Sequence, residues 1–319
     1  MRIGVFNECF LSSQNMEDLR AVGEVELFDA ITTEDQACQR VRGQDIVLAD
    51  MFECCLNERV LSGADSLKLL CINSTGYDLV DASAARRKNI LVANVPGFST
   101  EAVAEHSFAL LLSLVRHIAD EDRDAHKKPF QINPTDKEHR KYLGFNLFGK
   151  TIGIYGTGAI GRHVAKIAKG FGMKVIGTNR SMRSESDIEI VNFDELLKRS
   201  DILTLHAPLN ADSKGIINAE SLSKMKDGVI IINTARGGCV ISSDLAAALN
   251  QGKVGGAGLD ILDEWDLTNP LLGAPRTIIT PHAAWFTSEA LDKIGNIIVE
   301  NVKSYIMGAP KNIVISARS

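Results

Sequence analysis

Thr151-Ile152-Gly153-Ile154-Tyr155-Gly156-Thr157-Gly158-Ala159-Ile160-Gly161 is the stretch whose reading decides the fold. The apolar run from Thr151 to Tyr155 predicts a buried parallel strand. After it, Ile160, Val164, Ile167, Ala168 and Phe171 recur with helical period. Between strand and helix the glycines fall as G-x-G-x-x-G. Gly156 permits a tight turn, Gly158 leaves the backbone open to a pyrophosphate, and Gly161 lets the helix lie close on the strand. The first N–H groups and the dipole of that helix then face phosphate oxygens. Alone the motif is weak. Flanked by a strand and a helix, with a second strand at 174–179, it predicts a dinucleotide site. A glycine-rich corner that binds nothing is the alternative.

The rest of the composition narrows the class. A chain of 319 residues exceeds the size at which one core stops growing, so two domains are expected. Its net charge of −5, with no long basic run, disfavours nucleic acid and membrane surfaces as partners. The cysteines, Cys9, Cys38, Cys54, Cys55, Cys71 and Cys239, have no C-x-x-C spacing and read as reduced thiols of a cytoplasmic protein. Cys54-Cys55 lacks nearby His ligands, and no metal is expected. Strand-like residues begin at Ile3, which leaves no room for a signal peptide.

Outward from the glycine turn, both flanks alternate short apolar strands with polar helices, the pattern of parallel sheets covered on both faces. Strands are predicted at 3–6, 25–28, 46–49, 67–72 and 90–93, then at 151–155, 174–179, 202–206, 229–234, 254–260 and 277–280. Asn7-Glu8-Cys9-Phe10 follows the first strand in place of a glycine turn, so the first domain is expected to hold something other than the dinucleotide. Pro96-Gly97 marks a boundary. The helix from about 101 to 117 is apolar nearly all round at 108–115, as suits a core helix or a subunit interface, and we favour the interface. Residues 120–149 read as polar and irregular, with the charged run at 120–128 a solvated face. A final helix carries Ile294, Ile297, Ile298, Val302 and Ile306 on one face and stops at Gly308 and Pro310. It can return to the first domain, which would make a two-stranded hinge near Gly97 and Trp285.

The residue ending the second strand of the nucleotide fold selects the cofactor. An acid there suits the ribose 2′-OH of NAD and repels a 2′-phosphate. Here Asn179 stands at that place, followed by Arg180, Ser181 and, in reach, Arg183. A neutral amide beside guanidinium forks favours NADP(H), with NAD(H) as the alternative. Three further polar residues sit at strand ends: Arg236 in Asn233-Thr234-Ala235-Arg236, Asp260 after Gly258-Leu259, and His282 in Thr280-Pro281-His282. Together they supply a carboxylate clamp, an acid to orient a nicotinamide, and a proton donor.

With those motifs, and with Asn73-Ser74-Thr75-Gly76-Tyr77-Asp78, the chain resembles the D-isomer-specific 2-hydroxyacid dehydrogenases over essentially its whole length. Within them it is most similar to the glycerate dehydrogenases, also called hydroxypyruvate or glyoxylate reductases. The resemblance implies two doubly wound α/β domains. A Rossmann nucleotide-binding domain at 99–287 would be inserted in a flavodoxin-like substrate domain of 1–98 completed by 288–319. It implies that Arg236 and the N–H groups of Thr75 and Gly76 bind the substrate carboxylate. Gly156, Gly158, Ala159, Ile160 and Gly161 would meet the pyrophosphate, while His206, Ala207, Pro208, Thr234 and Ala235 would run along the nucleotide. Asp260 would meet the carboxamide, and His282 would give the proton as hydride arrives. A homodimer is expected, with a small 2-oxo or 2-hydroxy acid as the partner molecule. Met51, Phe52 and Trp285 are candidates for the far end of the pocket.

One departure stands out. The family places a glutamate five residues after the aspartate, where it orients the histidine and raises its pKa. Trp265 stands there in this chain. Glu264 or Asp266 could substitute, and we favour Glu264. With neither in reach, carbonyl reduction would fade at lower pH than in relatives. A nucleotide-sensing corepressor-like scaffold on the same fold is the alternative to an enzyme, and D-lactate or phosphoglycerate dehydrogenase are alternatives within the enzyme reading.

Overall fold

The computed structural model describes residues 1–7, 9–29, 31, 33–50, 56–182 and 185–316. Met51, Phe52, Cys54, Cys55 and Arg183 lie outside the described residues. The chain forms two compact units, one of Met1–Phe98 with Phe286–Ser319 and one of Ser99–Trp285.

Unit 1 alternates β1 (Arg2–Phe6), α1 (Ser13–Arg20), β2 (Glu24–Phe28), α2 (Glu34–Arg40), β3 (Ile46–Ala49), α3 (Glu58–Gly63), β4 (Leu69–Ile72), α4 (Ala82–Arg87) and β5 (Leu91–Ala93). Every residue of β3 and β4 is buried, because helices cover both faces of a parallel sheet and leave no wet side. Side chains mark where the helices begin. Thr33, Asn57 and Asp81 each accept the backbone N–H three residues on.

Unit 2 opens with α5 (Thr100–Val115) and α6 (Ile118–Lys127). It continues through β6 (Thr151–Tyr155), α7 (Ala159–Gly170), β7 (Lys174–Thr178), β8 (Glu189–Ile190), α8 (Phe193–Arg199), β9 (Ile202–Leu205), α9 (Ala219–Lys224), β10 (Val229–Asn233), α10 (Ser242–Asn250), β11 (Val254–Leu259) and β12 (Thr277–Ile279). Its strands lie in the order β12-β11-β10-β9-β6-β7-β8, all parallel. The order reverses on either side of β6, which puts the glycine turn at the switch point of the sheet. Alternation along β10 sorts the two cores. Ile230 and Ile232 pack with residues of α5 and α7, and Ile231 packs with residues of α8, α9 and α10.

The chain then re-enters unit 1 as α11 (Ser288–Ile306) and β13 (Ile313–Ile315). β13 pairs antiparallel with β5 and completes the order β13-β5-β4-β3-β1-β2.

Two expectations change. The apolar helix, for which a subunit interface is the favoured reading of the sequence, is a core element: α5 buries Phe108, Leu111, Leu114 and Val115 in its own unit. An open parallel sheet must be covered on both faces, and α5 is one of those covers. Residues 118–127, part of the segment expected to be irregular, form α6. Asp120–Arg123 and Asp124–Lys127 pairs at helical spacing support this polar helix on the surface. No single helix is long and apolar enough to cross a membrane. Among the described residues no group of three or more His, Cys, Asp or Glu could hold a metal ion.

Candidate active site

The first corner of unit 2 is built for close approach. Gly156 has φ of +99°, outside the range of ordinary L-residues. A Cβ on Gly161 would collide with the Gly156 carbonyl oxygen, whereas one on Gly158 would meet nothing within 4 Å. Gly158 is the N-cap of α7, and no side chain caps that helix. The first-turn N–H groups, including those of Ala159 and Ile160, are therefore left to a ligand or to water. An uncapped helix end beside open space at the switch point fits a dinucleotide pyrophosphate.

At the end of β7 the Asn179 side chain donates Nδ2–H to Thr157 Oγ1 at 2.8 Å, which ties the two turns together. Ser181 Oγ lies 3.4 Å from Asn179 Oδ1, and Arg180 is exposed. After β9, the His206 N–H donates to the Tyr155 carbonyl at 2.8 Å, and its Nε2 lies 2.8 Å from Thr204 Oγ1. Burial pulls the imidazole pKa down to about 3, so the ring is neutral at physiological pH. Among the described residues its buried Nδ1 has no hydrogen-bond partner. Ala207 N packs against Gly156, and the Pro208 carbonyl accepts Ser213 Oγ at 2.7 Å.

The neighbouring strands β10, β11 and β12 end in the polar residues expected of the chemistry. Beyond β10, the Asn233 side chain folds the turn by donating to the Arg236 carbonyl at 2.9 Å and accepting the Ala235 N–H at 3.0 Å. Arg236 is half-buried, with Nη1 on the Ala235 carbonyl at 2.8 Å. Thr234 Oγ1 lies 3.0 Å from Ser107 Oγ of α5. Beyond β11, the Asp260 carboxylate is almost fully buried. It accepts Thr280 Oγ1 at 2.6 Å and the N–H groups of Ala283 and Ala284 at 2.8 and 3.0 Å. His282 follows β12 with φ of +54°, and its N–H reaches the Asp260 carbonyl at 2.7 Å.

The carboxylate expected beside His282 is not Glu264. That residue is exposed, and among the described residues its side chain makes no hydrogen bond or ion pair. Asp266 accepts the N–H and hydroxyl of Thr268, which hold its pKa below the usual carboxylate range. Asn269 closes the same loop by donating to the Glu264 carbonyl at 2.9 Å. The loop is thus wound about its own backbone, and residues 263–268 face solvent. One imidazole beside a buried carboxylate escaped the motif reading. His106 of α5 has Nε2 at 2.9 Å from Thr280 Oγ1 and 3.5 Å from Asp260 Oδ1. Its sequence signal is weak, because Glu105 and Ser107 flank it in the polar first half of α5.

In unit 1, the loop after β4 is folded by Ser74 Oγ on the Gly76 carbonyl at 2.6 Å and Thr75 Oγ1 on the Val95 carbonyl at 2.9 Å. Asn94 Nδ2 donates to the Thr75 carbonyl at 2.7 Å. These bonds occupy acceptors. Among the described residues the N–H groups of Thr75 and Gly76 meet no acceptor, so both remain available to an anion.

An open nucleotide corner on one half of a doubly wound sheet, with basic and acidic groups ending the strands of the other half, defines a nicotinamide-dinucleotide-dependent oxidoreductase. Comparison with known proteins makes the class specific. A family model described as "D-isomer specific 2-hydroxyacid dehydrogenase, NAD binding domain" matches residues 108–284, and the chain belongs to that family. It is 36% identical over 304 residues to hydroxypyruvate reductase of Blautia hydrogenotrophica, covering 93% of each chain. It is also 36% identical to glyoxylate reductase of Thermococcus litoralis, covering 81% of this chain and 80% of the relative. Among solved structures, an acyclic imino acid reductase in complex with NADPH and D-Arg matches with a TM-score of 0.92 at 35% identity. That match covers 99% of this chain and 100% of the other. The protein is an oxidoreductase that acts on CH–OH donors with a nicotinamide cofactor.

Proposed function

We propose that the protein reduces small 2-oxo acids with NADPH, glyoxylate and hydroxypyruvate foremost, to 2-hydroxy acids that have the D configuration where C2 is a stereocentre. The observation that carries this reading is the placement of Arg236, Asp260 and His282 after the neighbouring strands β10, β11 and β12 of the sheet that carries the open glycine corner. Unit 2 takes the role of nucleotide domain and unit 1 that of substrate domain. The cofactor, when bound, supplies hydride. Arg236 holds the substrate carboxylate and polarises the carbonyl oxygen, with the N–H groups of Thr75 and Gly76 as further carboxylate donors. The His282 imidazole gives its proton to the developing alkoxide and takes it back in the oxidative direction. Asn179 and Arg180 favour a 2′-phosphate over a free ribose hydroxyl, in keeping with the NADPH bound to the matched imino acid reductase. Exposed apolar side chains in α6 and in the segment that follows it, among them Ile118, Leu143 and Phe148, support a homodimer. A cytoplasmic location is proposed on the free thiols Cys38, Cys71 and Cys239.

One observation favours a second reading. A solved structure that matches this chain over 99% of its length at 35% identity is named an acyclic imino acid reductase. A ketone needs a proton as its oxygen gains charge. An iminium, C=N⁺, arrives already protonated and becomes an amine by hydride transfer alone. Reduction of acyclic imino acids, the reaction for which that reductase is named, needs only the hydride and the carboxylate clamp of Arg236.

Steady-state oxidation of NADPH and of NADH separates these readings, with glyoxylate, hydroxypyruvate and pyruvate each tested with and without methylamine. Turnover on the oxo acids alone, fastest with NADPH, is the expected result. Turnover only with the amine present selects the imine reaction. Tight nucleotide binding without turnover on any of them selects a scaffold.

A further inference from the structure

α5 carries an imidazole into the back of the site, where an apolar side chain would pack more cheaply. Burying a polar ring costs free energy unless its hydrogen bonds are made. The His106 ring makes one of them to Thr280, and its proton can be located. Asp260 as a carboxylate can only accept. The single hydroxyl proton of Thr280 therefore goes to Asp260 Oδ1, 2.6 Å away. The Thr280 oxygen is left to accept, so His106 must donate from Nε2 across 2.9 Å. His106, Thr280 and Asp260 form a one-way chain of donors that ends on a buried anion.

That anion holds one turn. Its oxygens take the N–H groups of Ala283 and Ala284, and the Asp260 backbone carbonyl takes the N–H of His282. Three successive N–H groups, 282 to 284, thus converge on residue 260. His282 sits there at φ of +54°, a conformation that non-glycine residues seldom hold without such support. The direction in which the His282 side chain leaves the backbone is set by this turn.

We propose that His106 is a positioning residue: through the Thr280 hydroxyl it fixes the Asp260 carboxylate, and with it the turn that presents the His282 imidazole. This rests on the reading of His282 as proton donor, and it gives Asp260 a task apart from contact with the cofactor. The mechanism loses no reacting group when His106 is removed. It loses the orientation of one.

The test uses the full-length protein labelled with ¹⁵N-histidine, with the His282 ring signals assigned by their loss in His282→Gln. His106→Leu removes the donor and Thr280→Val removes the relay at nearly constant shape. Both are expected to move the His282 signals and to lower kcat for NADPH oxidation by glyoxylate about tenfold. The KM for NADPH should change by less than about twofold. His106→Gln, whose side-chain amide can donate at similar reach, is expected to restore signals and kcat together. Unmoved His282 signals in both His106→Leu and Thr280→Val overturn the proposal. A His106→Gln variant as impaired as His106→Leu also overturns it, by showing that ring packing and not donation matters. If His282→Gln itself keeps full activity, the proton-donor reading fails, and the resonance shifts still decide whether His106 positions the turn.

Discussion

In each unit the first strand turns into a helix, and the two turns are finished in opposite ways. After β1 the chain passes through Asn7, Cys9 and Phe10, all at positive φ without a glycine. Asn7 accepts the Ile31 N–H at 2.9 Å, which fastens that loop to its neighbour. Ser12 and Asn15 then close the start of α1 with a reciprocal capping box. After β6 the chain passes through glycines, and α7 starts with no side-chain cap. The same architecture thus fills one corner with its own side chains and leaves the other open. Fold alone does not distinguish them. The side chains at each corner decide which can take a ligand.

Closing the open corner should give the largest effect. Gly161→Val places side-chain carbons where the Gly156 carbonyl already sits. NADPH affinity measured by calorimetry is expected to fall by about a hundredfold or more, and an unchanged Kd would mean that the cofactor lies elsewhere. Asn179→Asp sharpens the contrast with less force. It should shift the ratio of kcat/KM for NADPH over NADH by about tenfold toward NADH, as a carboxylate repels the 2′-phosphate. A ratio that does not move would remove Asn179 from cofactor selection.

A third effect belongs to the fold around the open corner. His206 is held neutral, with its pKa lowered from 6.5 to about 3. Below pH 6.5 the unfolded chain binds a proton that the folded chain refuses, so stability falls as pH drops from 6.5 toward 3. His206→Gln is expected to flatten that part of the curve of Tm against pH, and parallel curves would contradict the assignment. The smallest effect lies at the closed corner. Ser12→Ala removes one half of the capping box and should cost about 1 kcal/mol of stability, with NADPH affinity unchanged. A loss of affinity there would erase the distinction between the corners.

The open corner was legible in the sequence because glycine spacing encodes backbone geometry directly. The strands were legible because a sheet covered on both faces needs unbroken apolar runs. What escaped was either too short or set by contacts distant in sequence. β8 has two residues and β13 three, below the length at which periodicity speaks. The expectation for Glu264 erred because the loop after β11 is shaped by Asp266 and Asn269 bonding to their own neighbours, which no motif records. His106 and Thr280 are 174 residues apart, and nothing local in α5 announces that its imidazole meets a strand end.

The most direct measurement is single-turnover oxidation of bound NADPH by glyoxylate in wild type and in His282→Gln, with Arg236→Gln beside them. Wild type should transfer hydride. Each variant should bind NADPH with Kd within about twofold of wild type and lose about a thousandfold in the rate of the chemical step. Wild-type rates in both variants would contradict the assignment of the chemistry to the strand ends of this sheet.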